Sequence, residues 1–216
     1  MSDAKKLRFP KEFLWGASTS AHQIEGGNHN QWSIWELENA KALAMQAEYK
    51  LDEMERWDDI RAAATDPANY VSGKVIDHFH RYKDDFDLLD KLHLNAFRFS
   101  IEWSRIEPKE GLWDGKAIEH YRKYIAELQR RNITPVMTLL HFTLPEWFAK
   151  KGGFEHRRNI KYFVRYVEYV MTQLGDEVPY VITMNEPEIY AVQSYLHAEW
   201  PPQKHSMKLC LWVLSN

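Results

Sequence analysis

Cys210 is the only cysteine among 216 residues, so the chain can form no internal disulfide and no cysteine-based metal site. None of its nine glycines falls in a G-x-G-x-x-G or GK[ST] pattern, which removes the phosphate-cradling loops of nucleotide-binding folds. No apolar run is long enough to span a bilayer, and the start, "MSDAKKLRFPKEFLWGAS", lacks the apolar stretch of a secretory leader. These absences predict a cytoplasmic location and no membrane partner. The formal net charge is only −3, with both signs mixed along the chain, so nothing electrostatic points to nucleic acid.

What is present is the composition of a folded domain, 44% hydrophobic and 27% charged, enough to bury one large core or two small ones. Aromatic residues make up 14% of the chain, nine of them tryptophan. Such rings fill cores, and they also form flat apolar platforms on which the C–H faces of sugars rest. Composition leaves both readings open.

Four short β-rich apolar runs, "FLWGAST", "NAFRFS", "PVMTLL" and "YVITM", have strand length. Between them lie stripes at helical spacing: Phe79, Tyr82, Phe86 and Leu89; Ile118, Tyr121, Ile125 and Leu128; Phe163, Val167, Val170 and Leu174. A further helix is expected from Ser206. Strands alternating with amphipathic helices predict parallel pairing through right-handed crossovers, which either an open doubly wound sheet or part of a (β/α)8 barrel satisfies. The segment from Asn39 to Ser72, rich in Ala, Glu, Lys and Met, reads as an elaborated first βα loop carrying one or two short surface helices. The whole chain, 1–216, is then a single structural unit.

Polar or aromatic residues follow each predicted strand at once: Gln23 and Glu25; Glu102, Trp103 and Arg105; His141; Asn185 and Glu186. In parallel α/β folds the C-terminal strand ends form the ligand face, so these clusters are expected to converge. Aromatic surroundings would partly desolvate Glu186 and raise its pKa, as a general acid near neutral pH requires. Pro187 biases Glu186 toward extended backbone. Because neighbouring strand residues point to opposite faces, Asn185 and Glu186 can share a ligand only where the strand bends or bulges. His141 alone fits a hydrogen-bonded structural histidine as well as a ligand-binding one. In "HFHRYKDDFD" the aromatic residues define the core face, so its charges read as solvated surface rather than a metal site. Arg98 lies inside a predicted strand between Phe97 and Phe99, and a guanidinium there needs a partner.

Taken together, "FPKEFLWGASTSAHQIEG", "HFHRYKDDFDLLDKLHLNAFRFSIEWSRIEP", "HFTLPEWFAKKGGF" and "ITMNEP" resemble glycoside hydrolase family 1, the retaining β-glucosidases and β-galactosidases. The resemblance implies the N-terminal four βα units of a (β/α)8 TIM barrel, a half barrel, and hydrolysis of β-linked glucosides or galactosides without a cofactor or metal. It implies Glu186 as the general acid/base, Asn185 at the sugar 2-hydroxyl, Gln23 and His141 as binders of sugar hydroxyls, and Arg98 beside the catalytic nucleophile. Phe142 stands where many members have Trp.

Retaining hydrolysis needs a second carboxylate about 5 Å from the first. In the family it lies in a Thr-Glu-Asn-Gly segment on the seventh strand, and no such segment occurs in this chain. The expectation is therefore an acid/base half that is inactive alone and completed by a C-terminal half-barrel chain or by self-association. The alternative is a non-catalytic sugar-binding or assembly module.

Overall fold

In a computed structural model of the protein, residues 8–74 and 76–216 are described; the lysine-bearing start, residues 1–7, and Val75 lie outside the described residues. Four strands, β1 (Gly16–Ser18), β2 (Ala96–Ser100), β3 (Thr134–Leu140) and β4 (Tyr180–Met184), form one parallel sheet in sequential order. Sequential parallel order with a helical crossover at each step is the order of a barrel wall; a doubly wound sheet reverses direction at a switch point.

Seven principal helices accompany the strands among the described residues: α1 (Gln31–Leu51), α2 (Trp57–Ala64), α3 (His78–Lys91), α4 (Gly115–Arg130), α5 (Ile160–Leu174), α6 (Pro187–Ala191) and α7 (Met207–Ser215). Most of the predicted stripe residues supply the core; Phe79 is half-buried outside it, Phe163 and Val167 pack against it only partly buried, and Tyr166, outside the predicted stripe, is fully buried. Phe97 and Phe99 of β2 and Met137 and Leu139 of β3 face the helices. There they pack with Tyr82, Phe86 and Leu89 of α3, Ile118, Tyr121, Ile125 and Leu128 of α4, and Tyr166, Val170 and Leu174 of α5. The opposite sheet face carries Arg98, Ser100, Val136 and Thr138, with Arg98 in register with Val136 and Ser100 with Thr138. Buried apolar residues concentrate on one face, so the other face would look into a barrel.

Two local expectations are corrected. The first βα connection does not begin with a short helix near Asn39: α1 runs for 21 residues from Gln31. Asn30 and Ser33 form a reciprocal capping box that starts the helix early, and Ala40, Ala44 and Ala47 give it a buried small-residue stripe. Nor is every polar group of α3 solvated. His78 is buried, with Nδ1 2.6 Å from Asp85 Oδ2 and Nε2 2.8 Å from the Tyr124 hydroxyl. Burial holds its pKa below the usual histidine value against the opposing pull of Asp85. It pins α3 to α4.

The sheet edges are exposed. All three residues of β1 are exposed, and β4 is exposed or half-buried along its length, with Tyr180 at 53%.

Candidate active site

The backbone N–H of Asn185 donates to the carbonyl of Leu140 (2.9 Å), so the β3–β4 ladder continues one residue past β4. The chain then turns sharply. Glu186 has φ 41° and ψ 61°, in the left-handed region, and is the residue from which α6 starts. This corrects the extended conformation expected before proline. Pro187 occupies the first helical position, where its fixed φ suits the helix and its missing N–H costs nothing. Glu186 therefore takes up the whole turn between strand and helix, at a cost of roughly 1–3 kcal/mol for a non-glycine residue. The turn is the bend that a shared ligand requires: Asn185 Nδ2 lies 3.4 Å from Glu186 Oε2.

Arg98 reaches the same place from β2. Its Nε donates to Thr138 Oγ1 (3.0 Å), and its Nη2 donates to Asn185 Oδ1. Among the described residues, then, the guanidinium is held by a hydroxyl and an amide rather than a carboxylate. Because the Asn185 oxygen accepts from Arg98, its NH2 group is left facing Glu186. Asn185 is buried while Glu186 is exposed, and among the described residues Glu186 makes no ion pair. The aromatic enclosure expected around its carboxyl is not supplied by the described residues, which leave Glu186 exposed.

His141 follows β3. It is half-buried, its Nδ1 is buried with no hydrogen-bond partner among the described residues, and its pKa is pushed down to about 4 by burial and then by the charge of Arg98. It is neutral at pH 7, with ring nitrogens able to donate one hydrogen bond and accept another. Next to it Phe142 adopts φ 68°, in a tight turn closed by Thr143 N–H donating to the His141 carbonyl (2.8 Å). The turn aims the Phe142 ring at Trp200 (centroids 4.9 Å apart), which in turn packs edgewise on Trp32 at 5.0 Å. Trp32 comes from the first turn of α1 and Trp200 from the segment after α6. Sequence reasoning did not single out these two rings; the general aromatic excess was the only signal for them.

Gln23 lies in a short helical turn, Ala21–Ile24, after β1. The Ser20 hydroxyl donates to Gln23 Oε1 (2.7 Å), and Ala21 N–H donates to Ser100 Oγ (2.7 Å) at the end of β2. Gln23 is exposed, and among the described residues its amide nitrogen donates to no partner.

Not every polar residue after a strand joins this group. Glu25 is buried between Arg105 (Nε to Oε2, 2.9 Å) and the Tyr121 hydroxyl (2.9 Å to Oε1). Burial raises its pKa to about 7, opposed by the charge of Arg105. Glu102 is buried too, accepting from the hydroxyls of Ser104 (2.7 Å) and Thr143 (2.8 Å). Trp103 is 1% exposed, in the core. Glu25, Glu102, Trp103 and Arg105 therefore brace the loops from below, which corrects the expectation that all the clusters converge on a ligand. Gln23, Arg98, His141, Asn185 and Glu186 are left along the C-terminal rim of the sheet.

The profile of Glycosyl hydrolase family 1 matches residues 5–214. The chain belongs to this family. Beta-glucosidase A of Acetivibrio thermocellus is 31% identical over 98% of this chain and 43% of its own length. The 6-phospho-beta-glucosidase of Clostridium longisporum is 36% identical over 90% of this chain and 38% of its own. Among solved structures, a beta-glycosidase from Pyrococcus horikoshii superposes with a TM-score of 0.79 at 40% identity, covering 96% of this chain and 43% of that one. The chain thus spans less than half the length of these relatives, and its four-stranded parallel sheet is the N-terminal half of a family (β/α)8 barrel.

Proposed function

We propose that this family 1 chain provides the acid/base and sugar-binding half of a retaining β-glycosidase acting on β-linked glucosides or galactosides. The observation that carries the reading is the turn at Asn185–Glu186. It places an oriented amide donor beside a carboxylate at the C-terminal edge of a parallel sheet, with Arg98 holding the amide. In this reading the Asn185 NH2 donates to the sugar 2-hydroxyl, and neutral His141 and Gln23 bond other hydroxyls. The Phe142, Trp200 and Trp32 rings face the apolar side of the substrate. Glu186 protonates the glycosidic oxygen as the leaving group departs, then deprotonates the water that releases the sugar.

A second carboxylate, about 5 Å away across the sugar, must attack the anomeric carbon. Among the described residues no carboxylate pairs with Arg98, and that unfilled position is where the nucleophile of a completing segment would sit. The same segment would cover Glu186 and desolvate it.

The test is hydrolysis of an aryl β-glucoside by the purified chain, alone and mixed with a C-terminal half barrel carrying Thr-Glu-Asn-Gly. The expected result is no turnover alone, turnover on mixing, and loss of that turnover with Glu186→Gln. Turnover by the chain alone that disappears with Glu186→Gln would overturn the two-part reading. Sugar binding that is unaffected by Glu186→Gln but lost with His141→Ala, with no turnover on mixing, would favour a non-catalytic sugar-binding module.

A further inference from the structure

The segment Lys150–Lys161 carries five cations, Lys150, Lys151, Arg157, Arg158 and Lys161, against one acid, Glu155, in a chain whose net charge is −3. The fold gathers four of these cations around one surface cavity of about 360 Å³, lined by Lys150, Lys151, Arg158, Asn159, Lys161 and Tyr162. None of these residues belongs to the rim that holds Glu186.

Two features hold the cations together despite their mutual repulsion. Asn159 is buried, and its Nδ2 donates to the carbonyls of Lys151 and Gly153 (2.9 Å each), clamping the lysine-bearing loop to the start of α5. The Tyr162 ring has Lys151 Nζ 5.5 Å and Lys161 Nζ 5.0 Å from its centroid, so one aromatic ring steadies two ammonium groups. Only half of the charge is compensated. Lys150 pairs with Glu146 (2.5 Å) and Lys151 with Glu110 (2.9 Å), while Arg158 and Lys161 form no ion pair with a carboxylate among the described residues.

We propose that this cavity binds a phosphate-bearing anion. A guanidinium fork flanked by ammonium groups matches the geometry and charge of a phosphate dianion, whose arrival would relieve the repulsion among the four cations. The cavity is larger than a phosphate group, leaving room for a small organic moiety. An exposed site of this kind weakens with salt, so binding falls as ionic strength rises.

The test is calorimetric titration of the full chain with inorganic phosphate against chloride at matched ionic strength, beside co-sedimentation with vesicles containing phosphatidylglycerol. Saturable phosphate binding, weakened about tenfold or more (each tenfold being about 1.4 kcal/mol) by Arg158→Gln with Lys161→Gln, is expected. Circular dichroism would check that this exposed double variant remains folded. Lys150→Gln with Lys151→Gln, on the other side of the cavity, should give the same loss, and Glu186→Gln should leave binding unchanged, so the site stands or falls separately from the glycosidase reading. Vesicle binding lost in the same variants, without binding of free phosphate, would assign the anion to a lipid headgroup. No saturable binding of either, or binding that survives both double variants, overturns the proposal.

Discussion

Arg98 donates through Nη2 to the side-chain oxygen of Asn185, so a residue of β2 decides which way an amide beyond β4 presents its NH2 group. The two positions lie 87 residues apart in the chain. Asn185→Ala would leave the half-buried guanidinium with only its Thr138 bond and remove the donor assigned to the sugar. The expected cost is about 1–3 kcal/mol of folding stability, the penalty for leaving a charged donor short of a partner, read as a lower urea midpoint at unchanged m-value. Sugar binding should weaken in the same variant.

The pH dependence of stability should contain two opposing contributions. His141 and His120 each titrate at about 4 in the folded protein against an ordinary value of 6.5, in both cases through burial and then a nearby arginine. Between those pH values the unfolded chain binds more protons at these sites, so their contribution to stability rises with pH. Glu25 does the reverse. Its folded value of about 7 lies above the ordinary 4.5, so its contribution is fully present below 4.5 and is lost as pH rises to 7. Urea denaturation from pH 4.5 to 6.5 should therefore show a steeper rise of stability in Glu25→Gln and a flatter one in His141→Gln. Identical slopes in wild type and Glu25→Gln would show that Glu25 does not hold its proton.

Tyr121 joins the two loops that brace the rim. Its hydroxyl donates to Glu25 Oε1 and accepts from the backbone N–H of Glu102, both at 2.9 Å. Tyr121→Phe keeps the ring in the core and strands a buried carboxylate oxygen and a buried amide. Each unmet group costs about 1–3 kcal/mol, so a loss of about 2–6 kcal/mol for the two together is expected by urea denaturation. A change below about 0.5 kcal/mol, the range of a neutral surface substitution, would mean that water replaces the hydroxyl.

The strands and the principal crossover helices were legible because burial imposes a period: Phe97 and Phe99 alternate with Arg98, and the stripe Ile118, Tyr121, Ile125 and Leu128 returns every three or four residues. What sequence rules missed has equally local causes. The preference for extended backbone before proline is a one-residue rule, and at Glu186 the geometry of a strand meeting a helix overrides it. The early start of α1 depended on a capping box between Asn30 and Ser33, two residues that look like ordinary loop polars until the helix is seen. Glu25 and Glu102 follow strands just as Glu186 does, but Arg105, Tyr121, Ser104 and Thr143 draw them inward, and those partners come from the segment after β2, the connection after β3 and helix α4.

The exposed edges make a last prediction. Among the described residues β1 and β4 each pair on one side only, and Tyr180 at the start of β4 is 53% exposed. An unpaired parallel edge bearing a large apolar ring is a template for further pairing, and natural proteins blunt such edges with lysine. Without a completing half, the chain should associate with itself through these edges in a concentration-dependent way, visible by sedimentation velocity. Tyr180→Lys should shift the distribution toward monomer. Leu37→Lys, placed on α1 at a position 70% exposed and away from the sheet, should leave it unchanged. If both lysines dissolve the association equally, general solubility rather than the β4 edge governs it; if neither does, the edge is already shielded in solution.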